Sequence, residues 1–424
     1  MSTPVAPSEA EQARAEQNES PAHLSTRRVG WVILALALGG FGIGTTEFVA
    51  MGLLPNIAAD LGVTEPVAGH LISAYALGVV VGAPVIAVLA ARVSRRTLLI
   101  ALMIAFTLGN ALSIAATTYS SLMAARFVAG LPHGAYFGVA ALVAAHLAGP
   151  GKRAIAVGKV MMGLSVANVL GVPAATWLGQ ALGWRSAMAL VVVIGVLTVA
   201  SLWWVLPDLR GMKLTSPTTE LGGLRSSQIW LTLLVGTVGF GGFFAFYTYL
   251  NTALTSLGGL SESAVPIALM LFGAGMVTGN YVGGRLADSL GDRAIAIGMA
   301  AAAVTLVLFA ALVSTGWPAV IVAFFVGCAG STAIPGLQTR LMDVAHDAQT
   351  IAAALNHSAL NVANAIGAWV GGLVIAQGFG YRAPSIVGAG FAVAGVVVLG
   401  VAVVAARRSG EAPKQREEPI PVGR

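Results

Sequence analysis

The chain has 424 residues, of which 57% are hydrophobic and only 9% charged, with a formal net charge of +6. Soluble domains carry about 25% charged residues, so a water-soluble fold is excluded. The cations sit in short loops and tails instead of one basic patch, which leaves no nucleic-acid partner to expect, and the lone Cys328 leaves no internal disulfide.

Residues 1–29 are polar, rich in Glu, Ala, Ser and Pro, and lack the apolar core and cleavage site of a signal peptide, so they read as a disordered tail. Twelve apolar segments follow, at 30–54, 68–91, 97–118, 121–147, 153–180, 186–206, 228–252, 264–288, 293–315, 317–341, 350–377 and 382–406. Each has the length of a membrane-spanning helix, about 20 residues, and none alternates in the manner of a membrane β-strand. The expected class is an all-α membrane protein. With the N-terminus inside, the cytoplasmic side collects Arg14, Arg27, Arg28, Arg92, Arg95, Arg96, Lys152, Arg153, Arg210, Lys213, Arg225, Arg285, Arg293, Arg340 and the five basic residues of 407–424. Only Arg185 and Arg382 fall outside, so both termini are expected in the cytoplasm.

The two halves repeat. Shifted by 197, Gly42, Gly44, Gly62, Gly78, Gly82, Arg96 and Gly130 land on Gly239, Gly241, Gly259, Gly275, Gly279, Arg293 and Gly327. Shifted by 196, Asn168 and Gly171 land on Asn364 and Gly367. Both halves begin on the same side, so the repeats are parallel, a transporter plan with a site at midplane. The expected units are a bundle at 30–206, a cytoplasmic linker at 207–227 carrying Pro207, Gly211, Pro217, Gly222 and Gly223, a second bundle at 228–406 and a tail at 407–424.

Charges inside a bilayer need a partner, a water cavity or a function. Glu47, in "FGIGTTEFVAMGLLP", is the one acid well inside a span, and Arg126 and Lys159 are the cations there. Glu47 lies about 10 Å and Arg126 about 8 Å from the outer ends of spans 1 and 4, so the two share a depth at which pairing or alternating partnership is open to them. His133 follows Arg126 by two helical turns on one face. A carboxylate that exchanges its partner as access switches can couple transport to protons; a static buried pair is the competing reading. Lys159, near a helix end, can snorkel to the surface. Gly163, Ala167, Gly171, Ala175 and Gly179 form a small-residue stripe interrupted by Pro173, suited to close helix packing. Tyr247, Tyr249 and Asn251, with His357, Asn361 and Asn364 on one face of span 11, are candidates to line a substrate cavity or to bond helices together.

These stretches resemble the major facilitator superfamily, and more narrowly its twelve-span drug:proton antiporter family and the AraJ-like, arabinose-efflux-related branch. The resemblance spans Gly30 to Arg408 and is densest in "FGIGTTEFVAMGLLPNIAADLGV", "LISAYALGVVVGAP", "GLPHGAYFG" and "NVLGVPAATWLGQALGWR". The family's loop signature G-x-x-x-D-x-x-G-R-R reads "AVLAARVSRR" here. Ala91 stands at the acid position and Ser94 at the second glycine, with Arg92, Arg95 and Arg96 retained. Its second-half copy, "GRLADSLGDR", keeps Gly284, Asp288, Gly291 and Arg293. Arg126 and Gly130 match the span 4 signature, whose Arg the resemblance implicates in proton coupling. Gly163, Gly171, Pro173 and Gly179 match the antiporter signature of span 5, with Val172 splitting the usual Gly-Pro pair.

The resemblance implies the major facilitator fold and export at the inner or plasma membrane by alternating access, with multidrug efflux as one form. The expected partners are a small drug- or sugar-like molecule, protons and the bilayer. The expected unit is a monomer that uses the proton gradient in place of a cofactor. A proton-independent uniporter or importer of a sugar or nucleoside is the alternative. A membrane enzyme or sensor scaffold fits less well, because no metal-ligand cluster, nucleophile motif or phosphate loop is evident.

Overall fold

The computed structural model describes residues 25–90, 93–149, 153–209, 226–345 and 349–409. Most of the two tails and of the 207–227 linker, and Arg92 of the first loop motif, lie outside these residues. The described residues form helices, twelve of them long and apolar enough to cross a membrane. In chain order, spans 1 to 6 are Thr26–Gly52, Glu65–Ile86, Arg95–Ala115, Tyr119–Ala148, Ile155–Leu182 and Trp184–Val205. Spans 7 to 12 are Ser227–Leu257, Glu262–Leu290, Asp292–Thr315, Trp317–Ala345, Leu355–Phe379 and Ala383–Arg408. With twelve crossings, Thr26 and Ser409 share one face, called here the terminal face.

Two expected spans are broken. Span 1 ends before Leu53, and a short helix, Leu54–Leu61, starts anew with Pro55 in its first turn. Span 4 is two helices, Tyr119–Gly130 and His133–Ala148, because Pro132 has no N–H to continue the first.

The repeat is visible atom by atom. A Cβ on Gly78 would lie 2.1 Å from the Phe127 carbonyl oxygen, and one on Gly275 2.1 Å from that of Phe324. On Gly82 and Gly279 it would lie 2.0 Å from the carbonyl oxygens of Leu131 and Cys328. Each contact is its counterpart displaced by 197 residues, so spans 2 and 4 pack as spans 8 and 10 do. Backbones approach this closely only where a side chain is absent. The stripe of span 5 packs on span 1 as expected, with Gly163 against Ala37, Gly171 against Thr45 and Gly179 against Leu53. A π-turn at Ala167–Gly171, just before Pro173, also brings span 5 onto span 8, where a Cβ on Gly273 would meet the Asn168 carbonyl at 2.3 Å.

The halves are joined by side-chain bonds away from the terminal face. Asn251 Nδ2 donates to the Gly52 carbonyl (2.6 Å), Ser73 Oγ to the Ala365 carbonyl (3.0 Å) and Gln180 Nε2 to Glu262 Oε2 (3.2 Å). Thr252 Oγ1 donates to Glu65 Oε2. On the same side the short helix is tied to span 6, for Trp184 Nε1 (2.9 Å) and Arg185 Nη1 (2.6 Å) both donate to Asp60 Oδ2.

Arg340 corrects an expectation. The sequence counts it with the cations of the cytoplasmic side and not among the charges within spans, yet span 10 continues to Ala345 and Arg340 is 3% exposed. Its guanidinium is satisfied by Asp292 of span 9 and by Gln228 (3.1 Å) and Thr232 (3.2 Å) of span 7.

Two outcomes test this packing. Gly82→Ala drives a methyl into the Leu131 carbonyl and should cost about 1–3 kcal/mol of stability, whereas Gly138→Ala, with nothing within 4 Å of its Cβ, should cost nothing. Thermal unfolding in detergent measures both. The hydrogen bonds from Trp184 and then Arg185 lower the Asp60 pKa from its usual 3.8. A carboxyl lowered on folding stabilises the fold above its unfolded value and ceases to as pH falls through the folded one. Wild type should therefore lose stability relative to Asp60→Asn only below about pH 4, as read from unfolding temperatures across pH 3–6.

Candidate functional site

The site begins at "TTE" in span 1. Thr45 closes on its own helix, its Oγ1 donating to the Phe41 carbonyl at 2.7 Å. Thr46 points into the bundle and is fully buried, as Glu47 nearly is at 5% exposure. Arg126 of span 4, 1% exposed, is held by Thr46 and not by Glu47: Nη1 donates to Thr46 Oγ1 and Nη2 to the Thr46 carbonyl, both at 3.0 Å. Thr46 Oγ1 in turn donates to Asn110 Oδ1 of span 3, and Asn110 Nδ2 to the Phe106 carbonyl. The guanidinium also lies over the Tyr75 ring, 4.5 Å from its centre, a cation–π contact strengthened by exclusion of water.

Among the described residues no hydrogen bond or ion pair reaches Glu47. Its charge acts through space on Arg126, Tyr75 and Tyr247. The direct pairing that depth alone allowed is therefore not formed. The reason is that Arg126 finds two acceptors one residue earlier, at Thr46.

Tyr75 carries the arrangement deeper. Its hydroxyl is 3.1 Å from His133 Nδ1. Thus Arg126 and His133 meet the same ring, which agrees with the shared face read from their spacing. His133 then crosses to the second half, its ring centre 6.4 Å from that of His357. Phe137 stacks on His357 at 5.3 Å and 5°. A line of polar and aromatic groups therefore runs from Asn110 through Thr46, Arg126, Tyr75 and His133 to His357.

The remaining candidates divide. Asn361 donates to the His357 carbonyl at 3.0 Å but its Oδ1 is buried without a partner, as are both side-chain atoms of Asn364. Buried polar atoms left unpaired cost about 1–3 kcal/mol each, so these two mark where water or a ligand is needed. Asn251 instead closes the seam on Gly52, and Tyr247 is packed between Phe48 (5.4 Å) and Phe272 (4.5 Å). Asn251 and Tyr247 thus join the halves by a hydrogen bond and by ring contacts, while Asn251 Oδ1, like Asn361 Oδ1, is buried without a partner. Lys159 lies on an exposed stripe of span 5 with Ile155, Met162 and Leu170, away from the seam, in keeping with a snorkelling role.

In the loop motifs, Arg96 donates to the Trp203 carbonyl (2.7 Å) and stacks on that indole, while Arg95 is half-buried beside it. Gly284 and Asp288 lie in the last turns of span 8, Gly291 turns the chain with φ +54°, and Arg293 is exposed at the start of span 9.

Thr46, Tyr75 and Asn110 were not singled out in the sequence. The repeat held the signal: Thr46, Glu47, Tyr75, Arg126 and His133 correspond to Phe243, Phe244, Phe272, Ala323 and Gly330. Each polar residue of the first half meets an apolar one in the second. There Phe243 stacks on Phe272 at 5.4 Å, over the space Gly330 leaves free.

A family model described as Major Facilitator Superfamily matches residues 36–356 and 253–423. The chain is 41% identical over 372 residues to the "Inner membrane transport protein YdhP" of Escherichia coli (strain K12), covering 88% of this chain and 95% of that protein. It is 37% identical to the "Putative transporter AraJ" of the same organism, covering 83% and 89%. To a "Chloramphenicol resistance protein" of Streptomyces lividans it is 34% identical, covering 82% and 88%. In fold it is similar to a bacterial homologue of the human lysosomal transporter Spinster, solved inward-facing and unoccupied. That match has a TM-score of 0.70 at 18% identity and covers 93% of this chain and all of that one.

Two substitutions grade the network. Arg126→Lys keeps the charge but loses the planar fork that serves both Thr46 oxygens, and should lower stability by about 1.5–3 kcal/mol. Tyr75→Phe keeps the ring under Arg126 and loses one hydrogen bond to His133, and should cost about 1 kcal/mol. Unfolding midpoints in detergent should fall in that order.

Proposed function

The chain belongs to the major facilitator superfamily, and we propose that it exports small organic molecules in exchange for protons. The observation that carries this reading is Glu47: a buried carboxyl with no hydrogen-bond partner among the described residues, beside an arginine whose own acceptors are supplied elsewhere. An unpaired charge at such depth is costly, and taking up a proton removes it. Arg126 keeps both of its bonds to Thr46 whether or not Glu47 is charged, with only its Nε buried without a partner, so the carboxyl can gain and release a proton without breaking those bonds. Arg126 supplies a fixed positive field that favours release.

In the proposed cycle both termini are cytoplasmic, as the distribution of Lys and Arg supports. The hydrogen-bonded seam then closes the outer side, and the substrate enters from the cytoplasm between the halves. Asn361, Asn364 and His357 supply polar contacts near midplane. Rocking of one half against the other breaks the Asn251–Gly52 and Thr252–Glu65 contacts and opens the outer side, where Glu47 exchanges its proton. The names of the relatives above, a transport protein and a drug-resistance protein, support small molecules as cargo. One copy of the chain contains every part of this cycle.

The test uses purified protein in vesicles, with a cargo first found by thermal-shift screening. An imposed pH gradient, acid on the side from which protons enter, should drive uphill transport by wild type. Glu47→Gln, which mimics a permanently protonated carboxyl, should abolish it while leaving substrate-induced thermal stabilisation in place. Uphill transport by Glu47→Gln at the wild-type rate overturns the assignment.

A further inference from the structure

A groove of about 820 Å³ lies on the terminal-face ends of spans 7 and 12. Val397, Gly400 and Val401 form its apolar wall, and Ser227, Gln228 and Arg408 its polar end. The repeat explains why it is there. The start of span 6 aligns with that of span 12 at the same shift of 197, since Gly183 and Arg185 fall on Gly380 and Arg382. By that shift Gly400 and Val401 stand where the first half has Trp203 and Trp204, and Gln228 where it has Trp31. The second half carries no indole at these three positions, and the groove lies there.

We propose that this groove binds one anionic phospholipid from the leaflet on the terminal face. An acyl chain would run along Val397 and Val401, past Gly400, where no side chain blocks it. The headgroup phosphate would meet Arg408 and Ser227. Charge complementarity argues for an anionic lipid. Among the described residues no hydrogen bond or ion pair engages Arg408, and Arg407 lies beside it. The first turn of the span 7 helix adds N–H groups, for the Ser226 side chain does not cap them. Basic grooves at this level, with an apolar wall reaching into the bilayer, suit an anionic headgroup and its chain together. Gln228, at the groove's end, accepts from Arg340, so an occupant would abut the pair of buried Arg340 with partly exposed Asp292 that ties span 10 to span 9.

The test is native mass spectrometry of the full chain, delipidated in neutral detergent and incubated with phosphatidylglycerol or phosphatidylcholine of the same acyl composition. Wild type should retain one phosphatidylglycerol at least about fivefold more than phosphatidylcholine. Arg408→Gln should remove that preference. Gly400→Trp, which restores the first-half residue, should reduce retention of both lipids, and Val401→Trp provides a second filled groove should Gly400→Trp fail to fold. Equal retention of the two lipids by wild type, or unchanged retention in Arg408→Gln and in the folded tryptophan variant, overturns the proposal. So does a groove occupied by the chain's own 210–225 segment, seen as a crosslink from Cys introduced at Gly400 and no retained lipid. None of these readouts depends on transport, so the result stands apart from the fate of the proton-exchange reading.

Discussion

A guanidinium cannot be deprotonated and cannot be left unpaired within a bilayer, and the first half of this protein is arranged around that constraint. Arg126 is held at Nη1 and Nη2 by two oxygens of one residue, Thr46, and by the face of Tyr75, which leaves only its Nε buried without a partner. Thr46 can offer its hydroxyl oxygen only because its own proton goes to Asn110. Spans 1, 2, 3 and 4 are thereby fixed to one another at a single depth. The glycines of the 2–4 contact make this feasible, since Gly130 lets the Tyr75 backbone approach, where a Cβ would lie 2.2 Å from its carbonyl oxygen.

The same arrangement leaves Glu47 without a committed partner. Had Arg126 bonded Glu47 directly, removing the proton-accepting charge would have left a buried cation exposed, and breaking a buried pair costs about 3–5 kcal/mol. With Arg126 held by neutral groups, the two protonation states of Glu47 differ in the carboxyl's own desolvation and in the field of Arg126, and not in any hydrogen bond of the arginine. The geometry thus separates the structural role of the arginine from any exchange at the carboxyl.

Much of this was legible in the sequence, and the omissions have a common cause. The twelve spans follow from hydropathy, and the duplication from glycines in register. Glu47, Arg126 and His133 stand out because charge and imidazole are rare in apolar runs. Thr46, Tyr75 and Asn110 do not, for such residues occur in any span and their importance lies in which neighbour they face. The burial of Arg340 was hidden for the opposite reason: a basic residue near a helix end reads as topology until its acceptors, Asp292, Gln228 and Thr232, are seen from two other spans. Tyr247 and Asn251 were correctly seen as polar groups near one end of span 7, but whether such groups line a cavity or close a seam depends on the other half.

The asymmetry between the repeats ties these points together. A duplicated bundle begins with equivalent sites, and here one copy is polar while the other is filled by Phe243, Phe244 and Phe272. The apolar copy holds no titratable group at these positions, and its rings pack on one another. His357, reaching from the second half to the ring of His133, is where the second half meets the polar site of the first. The seam that joins the halves combines apolar packing, such as Phe48 on Tyr247 and Phe137 on His357, with glycine contacts and a few hydrogen bonds, each worth about 1 kcal/mol net. A handful of such bonds amounts to a few kcal/mol, the scale on which a ligand's preference for one state can shift a two-state equilibrium. A seam sealed by buried ion pairs would be harder to open, because each opening would strand charges. Two charged pairs among the described residues, Arg185 with Asp60 and Arg340 with Asp292, each lie within a single half.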